Sequence, residues 1–145
     1  MPHDLGPVAG LVRLTFLIQT VYADVGRACD LTAAQAQLLC TLADEPKGMA
    51  DLSRLLGLER SSLTGLVDRA EQRTYVVRRS DPSDRRAVRV ALTPEGVKAV
   101  ARFHDELTVQ LQSVLADLPA SERKAFTRTL TKLTATTPNT FTTPA

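Results

Sequence analysis

Hydroxyl and guanidinium side chains concentrate in two adjacent segments between residues 59 and 93. The first segment reads ERSSLTGLVDR, with apolar residues spaced for one face of a helix and short polar residues on the other. The second reads YVVRRSDPSDRRAVRVALT, two β-rich runs joined by an arginine-rich turn. A helix with short outer side chains can approach base edges in a DNA major groove, while cations on the hairpin beside it meet phosphates. This order of elements is typical of a winged helix-turn-helix.

The positive charge of the chain lies in the same region. The 145 residues carry a net charge of +2. Residues 54–89 hold nine Arg against five Asp or Glu, an excess of +4, and the remainder holds nine basic against eleven acidic residues, or −2. A local basic patch on a near-neutral protein favours a polyanionic partner at one face. With 43% hydrophobic and 23% charged residues, the composition is that of a soluble globular protein.

Other classes of function find little support in the residues. The amino end does not resemble a signal peptide, and no apolar run approaches the roughly 18 residues of a membrane helix, so we expect a cytoplasmic protein without a membrane partner. The two cysteines, Cys29 and Cys40, are too few for a disulfide framework and are interpreted as small buried hydrophobes. We find no catalytic triad, phosphate loop or metal-ligand spacing, and therefore expect neither an enzyme nor a cofactor.

Long amphipathic helices are predicted at both ends of the chain. Apolar residues recur at threes and fours over residues 5–25 and again over 97–118, after Pro94 opens the second helix. Pro119 separates that helix from a last one at about 120–134. Their combined apolar seam is longer than one small lobe can bury, which predicts pairing with a second copy of the chain.

Shorter elements are predicted in the middle of the chain. Thr32 is a suitable cap for a helix that follows it, and Gly57 suits the left-handed position that ends another. The predicted helices cover residues 33–43, 49–56 and about 59–73, and the predicted strands cover 75–79 and 87–92.

The wing and the helix before it resemble those of a known protein family. Residues 81–96, DPSDRRAVRVALTPEG, look like the wing signature of the MarR (multiple antibiotic resistance regulator) family. Residues 58–69, LERSSLTGLVDR, are similar to its recognition helix. The resemblance implies a ligand-responsive, homodimeric repressor that binds a pseudo-palindromic operator in double-stranded DNA. It also implies an effector pocket between a dimerisation lobe and a DNA-binding lobe.

The resemblance, which covers about residues 5–134, also implies a domain organisation. The fold class is mainly α with a small β-wing, in a single MarR-like domain over residues 1–145. The expected parts are a winged helix-turn-helix lobe at 31–93, a helical dimerisation lobe at 5–28 and 94–134, and a tail at 135–145, which its Thr- and Pro-rich composition predicts to be disordered.

Candidate DNA contacts follow from the same two segments. The family's second wing arginine reaches into the minor groove, and Arg86 takes that role here; hydroxyls on the helix can bond phosphates or bases. Asp68 and Asp84 are expected to orient arginines, because a carboxylate near a phosphate is repelled. Arg78 and Arg79, on the near strand, are expected to meet phosphates or solvent. The candidate contacts are Ser61, Ser62, Thr64, Gly65, Arg69, Arg85 and Arg86.

Candidate effector ligands are residues on the helices that border the family pocket, although such a residue is more often a satisfied surface or interface group. They are Arg13, Tyr22, Arg27, Gln37 and His104. Two alternatives stay open: a redox-sensing regulator that uses a cysteine such as Cys29, and a winged-helix module for protein contacts without DNA readout.

Three residues depart from the family pattern. Thr74 stands where a glycine usually ends the recognition helix, Ala70 replaces a leucine, and Gly48 replaces a Ser or Thr cap. Together these departures predict a turn into the wing that is strained or differently shaped.

Overall fold

The computed structural model describes residues 6–136, which form six α-helices and a three-stranded antiparallel sheet. The helices are α1 (Pro7–Ala28), α2 (Ala33–Thr41), α3 (Met49–Leu56), α4 (Arg60–Gln72), α5 (Pro94–Leu115) and α6 (Ala120–Thr136). The strands are β1 (Lys47–Gly48), β2 (Val76–Ser80) and β3 (Val88–Leu92), in the order β1-β3-β2. This architecture confirms the expectation of a mainly α fold with a small β-wing.

Local sequence signals account for the helices that form the helix-turn-helix. Thr32 and Gln35 form a reciprocal capping box at the start of α2, in which the Thr32 hydroxyl accepts from the Gln35 N–H and the Gln35 side-chain oxygen accepts from the Thr32 N–H, both at 3.1 Å. Gly57 ends α3 in the left-handed conformation, with φ of 63°. The Leu58 N–H then donates to the Ser53 carbonyl at 3.1 Å, which fixes the turn into α4.

The core lies where α2, α3, α4 and the sheet meet. Leu38 of α2, Leu52 of α3, Leu63 of α4 and Val90 of β3 are all fully buried, and Phe103 of α5 closes the core from the side of the long helices. The four residues predicted to form the inner face of α4 are buried, which confirms the assigned helix phase; they are Leu63, Leu66, Val67 and Ala70.

Some predicted boundaries differ from the structure. Strand β1 was not predicted, since two residues are too short to show alternation, yet it pairs with β3 in the register Lys47 to Val90. Helix α2 ends at Thr41 rather than 43, and α5 ends at Leu115 rather than 118. Helix α6 extends through residues 135 and 136, where the predicted tail was to begin. Leu5 and the tail from 137 to 145 lie outside the described residues.

Helices α1, α5 and α6 expose much apolar surface within the protomer. Val8 and Phe16 on α1 are 74% and 64% exposed. Other exposed apolar side chains continue the seam, among them Leu11, Val12, Val97, Val109, Val114, Leu130 and Leu133. By length and composition alone α1 is long and apolar enough to cross a membrane, which corrects the expectation that no such run exists. The same exposed face matches the seam that predicts pairing with a second copy.

Candidate nucleic-acid interface

Helix α4 turns a face of short side chains outward. Ser61, Ser62 and Thr64 are exposed, and the Thr64 hydroxyl donates to the Arg60 carbonyl at 2.8 Å. That bond uses the hydroxyl proton and leaves its lone pairs free to accept from a base or a bound water. The buried residues of α4 hold this face outward, since they anchor the opposite side of the helix in the core.

Gly65 lets an arginine lie against the helix backbone. A Cβ at this position would stand 3.2 Å from Nη1 of Arg69. The guanidinium of Arg69 therefore lies over the backbone of Gly65, one helical turn towards the N-terminus from the Cα of Arg69. Ser61 and Ser62 lie four and three residues before Gly65 and share its side of the helix. The cation of Arg69 is therefore directed along the face of short side chains.

The tip of the wing is a tight turn that presents two arginines. The Ala87 N–H donates to the Asp84 carbonyl at 3.0 Å, which makes Arg85 and Arg86 the two central residues of a β-turn. Both are exposed. The Asp81 N–H donates to the Ala87 carbonyl at 2.9 Å and closes the loop below them.

The two acidic residues of the wing loop organise backbone and side chain. Among residues 6–136 Asp84 pairs with no guanidinium. Its Oδ1 accepts from the backbone N–H of Arg86 at 3.0 Å, and so positions that residue through the main chain. Asp81, which was not among the candidates, accepts from the N–H and hydroxyl of Ser83 at 2.9 and 2.8 Å and from Nε of Arg89 at 2.9 Å. The Ser83 N–H, then its hydroxyl and then Arg89 lower the pKa of Asp81. The turn was predicted, and the aspartate followed two residues later by serine is the signal that could have indicated the role of Asp81 in it.

Arg78 joins the wing to the recognition helix. Its Nη2 donates to Asp68 Oδ1 at 2.7 Å, its Nη1 to Glu71 Oε1 at 3.2 Å, and its backbone N–H to Glu71 Oε2 at 3.2 Å. Hydrogen bonding to Asp68 is the main cause that raises the pKa of Arg78. The expectation that Arg78 meets only phosphates or solvent is therefore wrong, and Asp68 binds an arginine that the sequence did not single out as its partner.

Arg79 differs from Arg78 in its surroundings. It is exposed and pairs in register with Arg89 of β3. Side chains directly opposite each other in a sheet share a face, so two guanidiniums lie side by side on this surface of the wing. Asp81 neutralises the charge of Arg89 through their ion pair, so the net positive charge of these two arginines comes from Arg79.

The turn that follows α4 has the conformation expected to cause strain. Thr74 has φ of 62°, the left-handed region that favours glycine. Gly48 caps α3 without a side-chain hydrogen bond, as its lack of a side chain requires. Ala70 is 1% exposed and packs in the core at its position on α4.

The structure does not bring the five candidate effector ligands to one place. Arg13 and Arg27 are exposed and lie about 21 Å apart along α1, given 1.5 Å per residue. Arg27 pairs with Asp24. Gln37 and His104 are half-buried on α2 and α5. Arg13 is thus separated from any small pocket at the end of α1.

Tyr22 has the most defined environment of the five candidates. Its ring packs edge-on against Phe103 with centroids 4.9 Å apart, and its hydroxyl donates to Sγ of Cys40 at 3.9 Å. Burial is the main cause that raises the pKa of Tyr22 and that of the Cys40 thiol. Cys29 is 7% exposed. The Cys40 thiol, with its raised pKa, holds little thiolate at neutral pH, and Cys29 is shielded from solvent by its burial; both features disfavour cysteine-based redox sensing.

A hollow of about 460 Å³ lies on α6, away from the five candidates. It is open to solvent and is lined by Ala120, Arg123, Lys124, Thr127 and Arg128.

Comparison with known proteins agrees with this geometry. The HTH-type transcriptional repressor NicR of Pseudomonas putida is 33% identical over 142 residues, covering 91% of this chain and 85% of NicR. BpsR of Bordetella bronchiseptica superposes with a TM-score of 0.65 at 28% identity, over 92% of this chain and 97% of BpsR. The apo form of Escherichia coli MarR superposes with a TM-score of 0.73 at 26% identity, over 85% of this chain and 96% of MarR.

The helix-turn-helix, the wing and these relatives define the class: the protein is a winged-helix, DNA-binding transcriptional regulator. A family model for the MarR family matches residues 30–87. The chain belongs to the MarR family. Its relatives are transcriptional regulators and not enzymes, which confirms the expectation that this protein is not an enzyme.

Proposed function

We propose that the protein is a ligand-responsive repressor that acts in the cytoplasm and binds a pseudo-palindromic operator as a homodimer. The observation that carries this proposal is the joint exposure of the short-chain face of α4 and the arginines at the wing tip, held together by Arg78. In this proposal Ser61, Ser62, Thr64 and Arg69 meet the major groove, because short side chains allow close approach to base edges.

The wing has a separate part in this mechanism. Arg86, at the tip of the β-turn, enters the minor groove, where a narrow groove concentrates negative potential. Arg85 and Arg79 lie on exposed surface and contribute charge toward the phosphates. Asp68 accepts from Arg78 and Asp84 accepts from the backbone N–H of Arg86, so neither carboxylate needs to approach a phosphate.

Homodimerisation is supported by the exposed apolar side chains of α1, α5 and α6. Burial of apolar surface contributes roughly 25 cal/mol per Å², so a second copy that covers Val8, Phe16 and their neighbours offers a large gain. A two-fold dimer places two copies of α4 in successive major grooves of the DNA. A protected site with a dyad, and half-site centres about 10 base pairs apart, is the expected result.

The effector is proposed to be a small aromatic carboxylate. DNA binding by BpsR is regulated by 6-hydroxynicotinic acid, and BpsR aligns with 92% of this chain. In this protein Tyr22 offers an aromatic ring, and Arg27 and His104 offer charged or polar groups on the same and the neighbouring long helix. A site that uses these residues would lie where α1, α2 and α5 meet.

Selection of bound fragments from the source genome, followed by footprinting, tests DNA recognition. A specific site that resists moderate salt supports the proposal, since non-specific binding is lost steeply with salt. Sedimentation at micromolar concentration should show a dimer. A monomer, a protected site without a dyad, or equal retention of random DNA would contradict the proposal and favour the protein-contact module.

The effector proposal has its own test once an operator is known. Addition of 6-hydroxynicotinic acid, with a related aromatic acid and an aliphatic acid of equal charge as controls, should release operator DNA only with the aromatic acids. Tyr22→Phe should leave release intact if the ring alone matters, whereas Tyr22→Ala should weaken it. Equal release by the aliphatic acid would show that charge alone acts.

A further inference from the structure

Arg73, which directly follows α4, contacts the far end of α1. Its Nη1 donates to the Asp30 carbonyl, and its Nη2 donates to Asp30 Oδ2 at 2.9 Å. Nη1 also reaches Gln35 Oε1 at 3.4 Å, and Nη2 reaches the Tyr75 hydroxyl at 3.1 Å. The guanidinium carbon lies 4.8 Å from the centre of the Tyr75 ring. One side chain thus joins the α1–α2 turn to the turn between α4 and β2.

The α1 end of this contact is tightly built. Asp30 has φ of 57°, and the Leu31 N–H donates to the Gly26 carbonyl at 2.7 Å. A Cβ at Gly26 would stand 2.6 Å from the Leu31 carbonyl oxygen, so only glycine allows this approach. Arg102 of α5 donates to the Ala28 carbonyl at 3.0 Å. Two guanidiniums therefore meet the C-terminal end of α1, where the helix dipole favours cations.

The other side of the turn is attached to the start of α5. The Thr93 hydroxyl donates to the Thr74 carbonyl, and the Thr93 N–H donates to the Tyr75 carbonyl at 3.0 Å. A Cβ at Gly96 would collide with the Tyr75 carbonyl oxygen. The three residues 73–75 thus connect the recognition helix to the ends of both α1 and α5. Thr74 holds its unfavourable φ within this segment because both neighbours are fixed.

We propose that Arg73 is a positioning residue for DNA binding, which sets the angle of α4 relative to the long helices and so the spacing at which two copies of α4 meet DNA. The inference rests on the proposed two-fold operator. Arg73 lies about 18 Å along the helix from Ser61, so a base contact at that end is beyond its reach. Its side chain is 32% exposed and that of Asp30 is 94% exposed, so the pair adds little to stability and its contribution is geometric.

Operator spacing is the readout that a merely stabilising residue would not move. One added base pair between the half-sites rotates them by about 35° and separates them by roughly 3.4 Å, so a rigid dimer should strongly prefer the natural spacing. Arg73→Ala should reduce this preference by roughly 2- to 30-fold, the range by which residues that couple distant parts of a protein can change that coupling. Its salt slope on operator DNA should equal that of the wild type, because no phosphate contact is lost.

Two further variants sharpen the comparison. Asp30→Asn keeps a residue that tolerates positive φ but removes the charge, and should reduce the spacing preference in the same direction by a smaller factor. In the Arg73→Ala background it should have no further effect, since the contact is already absent. Arg79→Ala is the matched control: it should lower the salt slope and keep the spacing preference of the wild type.

The possible outcomes separate the inference from the function on which it rests. A wild-type protein that binds both spacings equally would contradict the two-fold operator itself. If the wild type discriminates and folded Arg73→Ala discriminates equally, Arg73 does not position α4. A salt slope reduced by about one unit per subunit would make Arg73 a phosphate contact instead. Should Arg73→Ala fail to fold by circular dichroism, Asp30→Asn tests the same contact, and an unchanged preference there overturns the inference.

Discussion

Replacing Arg78 by alanine should loosen the wing without removing a DNA contact. The side chain of Arg78 is 30% exposed, and its partners Asp68 and Glu71 are 51% and 41% exposed. Ion pairs this open to solvent contribute about 0.2–1 kcal/mol each. With the packing of the arginine stem, Arg78→Ala should lower the free energy of unfolding by about 1–2 kcal/mol and Tm by roughly 3–8 °C.

The pH dependence of this loss follows from the guanidinium. Asp68 raises the pKa of Arg78 in the folded protein above its ordinary, unfolded value. The stabilisation is therefore fully present at any pH below the unfolded pKa, and it is lost only when the pH rises through the folded pKa. The difference between wild type and Arg78→Ala should therefore be constant across neutral pH. Urea denaturation followed by far-ultraviolet circular dichroism is the suitable measurement, because the chain has no tryptophan.

Arg79→Ala is the matched control for this prediction. Arg79 is exposed on the same strand, and its loss should change stability by less than about 0.5 kcal/mol. The two variants should also differ in DNA binding. Arg78→Ala should weaken operator binding and leave its salt slope unchanged, whereas Arg79→Ala should reduce the salt slope by about one unit per subunit. If Arg78→Ala lowers the slope as Arg79→Ala does, the contact with Asp68 opens on DNA and the reasoning fails.

Three further predictions concern the wing, the turn after α4 and the cysteines. Arg86→Ala should weaken operator binding by roughly 1–3 kcal/mol and reduce the difference in affinity between operator and random DNA, as measured by band shift across a salt titration. A folded variant that binds operator like the wild type would refute the minor-groove role. Thr74→Gly should raise the free energy of unfolding by up to about 1 kcal/mol in thermal melts, because glycine adopts φ near 62° without steric cost, which outweighs its greater entropy in the unfolded state. Gly57→Ala, at φ of 63°, should lower the free energy of unfolding by a similar amount. A Cys29→Ser/Cys40→Ser double variant should bind operator and respond to the inducer like wild type, with a stability cost of about 1–2 kcal/mol; release of wild-type protein by stoichiometric peroxide, absent in Cys29→Ser, would indicate redox sensing instead.

Signals that act over a few residues predict much of the fold. Thr32 marks the start of α2, Gly57 marks the end of α3, and the spacing of Leu63, Leu66 and Val67 identifies the inner face of α4. Each signal depends on helix geometry alone, which the chain expresses locally. Strand β1 carries no such signal, because two residues show no alternation and its pairing with β3 depends on contacts across the fold.

Side-chain partners across elements were harder to predict than the elements. The sequence places Arg78 and Asp68 ten positions apart, and only the approach of β2 to α4 makes them a pair. Arg73 and Asp30 are 43 positions apart and meet only because the end of α4 lies beside the α1–α2 turn. The effector site was least predictable, since Arg13 shares a helix with Tyr22 yet lies about 13 Å from it along the axis.

The exposed apolar face of α1 has a consequence for synthesis in the cell. α1 leaves the ribosome well before α5, the long helix on which it packs, and, in the proposed homodimer, before a second copy covers its outer face. During that interval its Val8 and Phe16 face water, where an apolar surface is open to chaperones and to aggregation. Helix α1 should therefore reach its final burial only after release of the whole chain. The yield of active regulator should then depend on how many copies are being made at once.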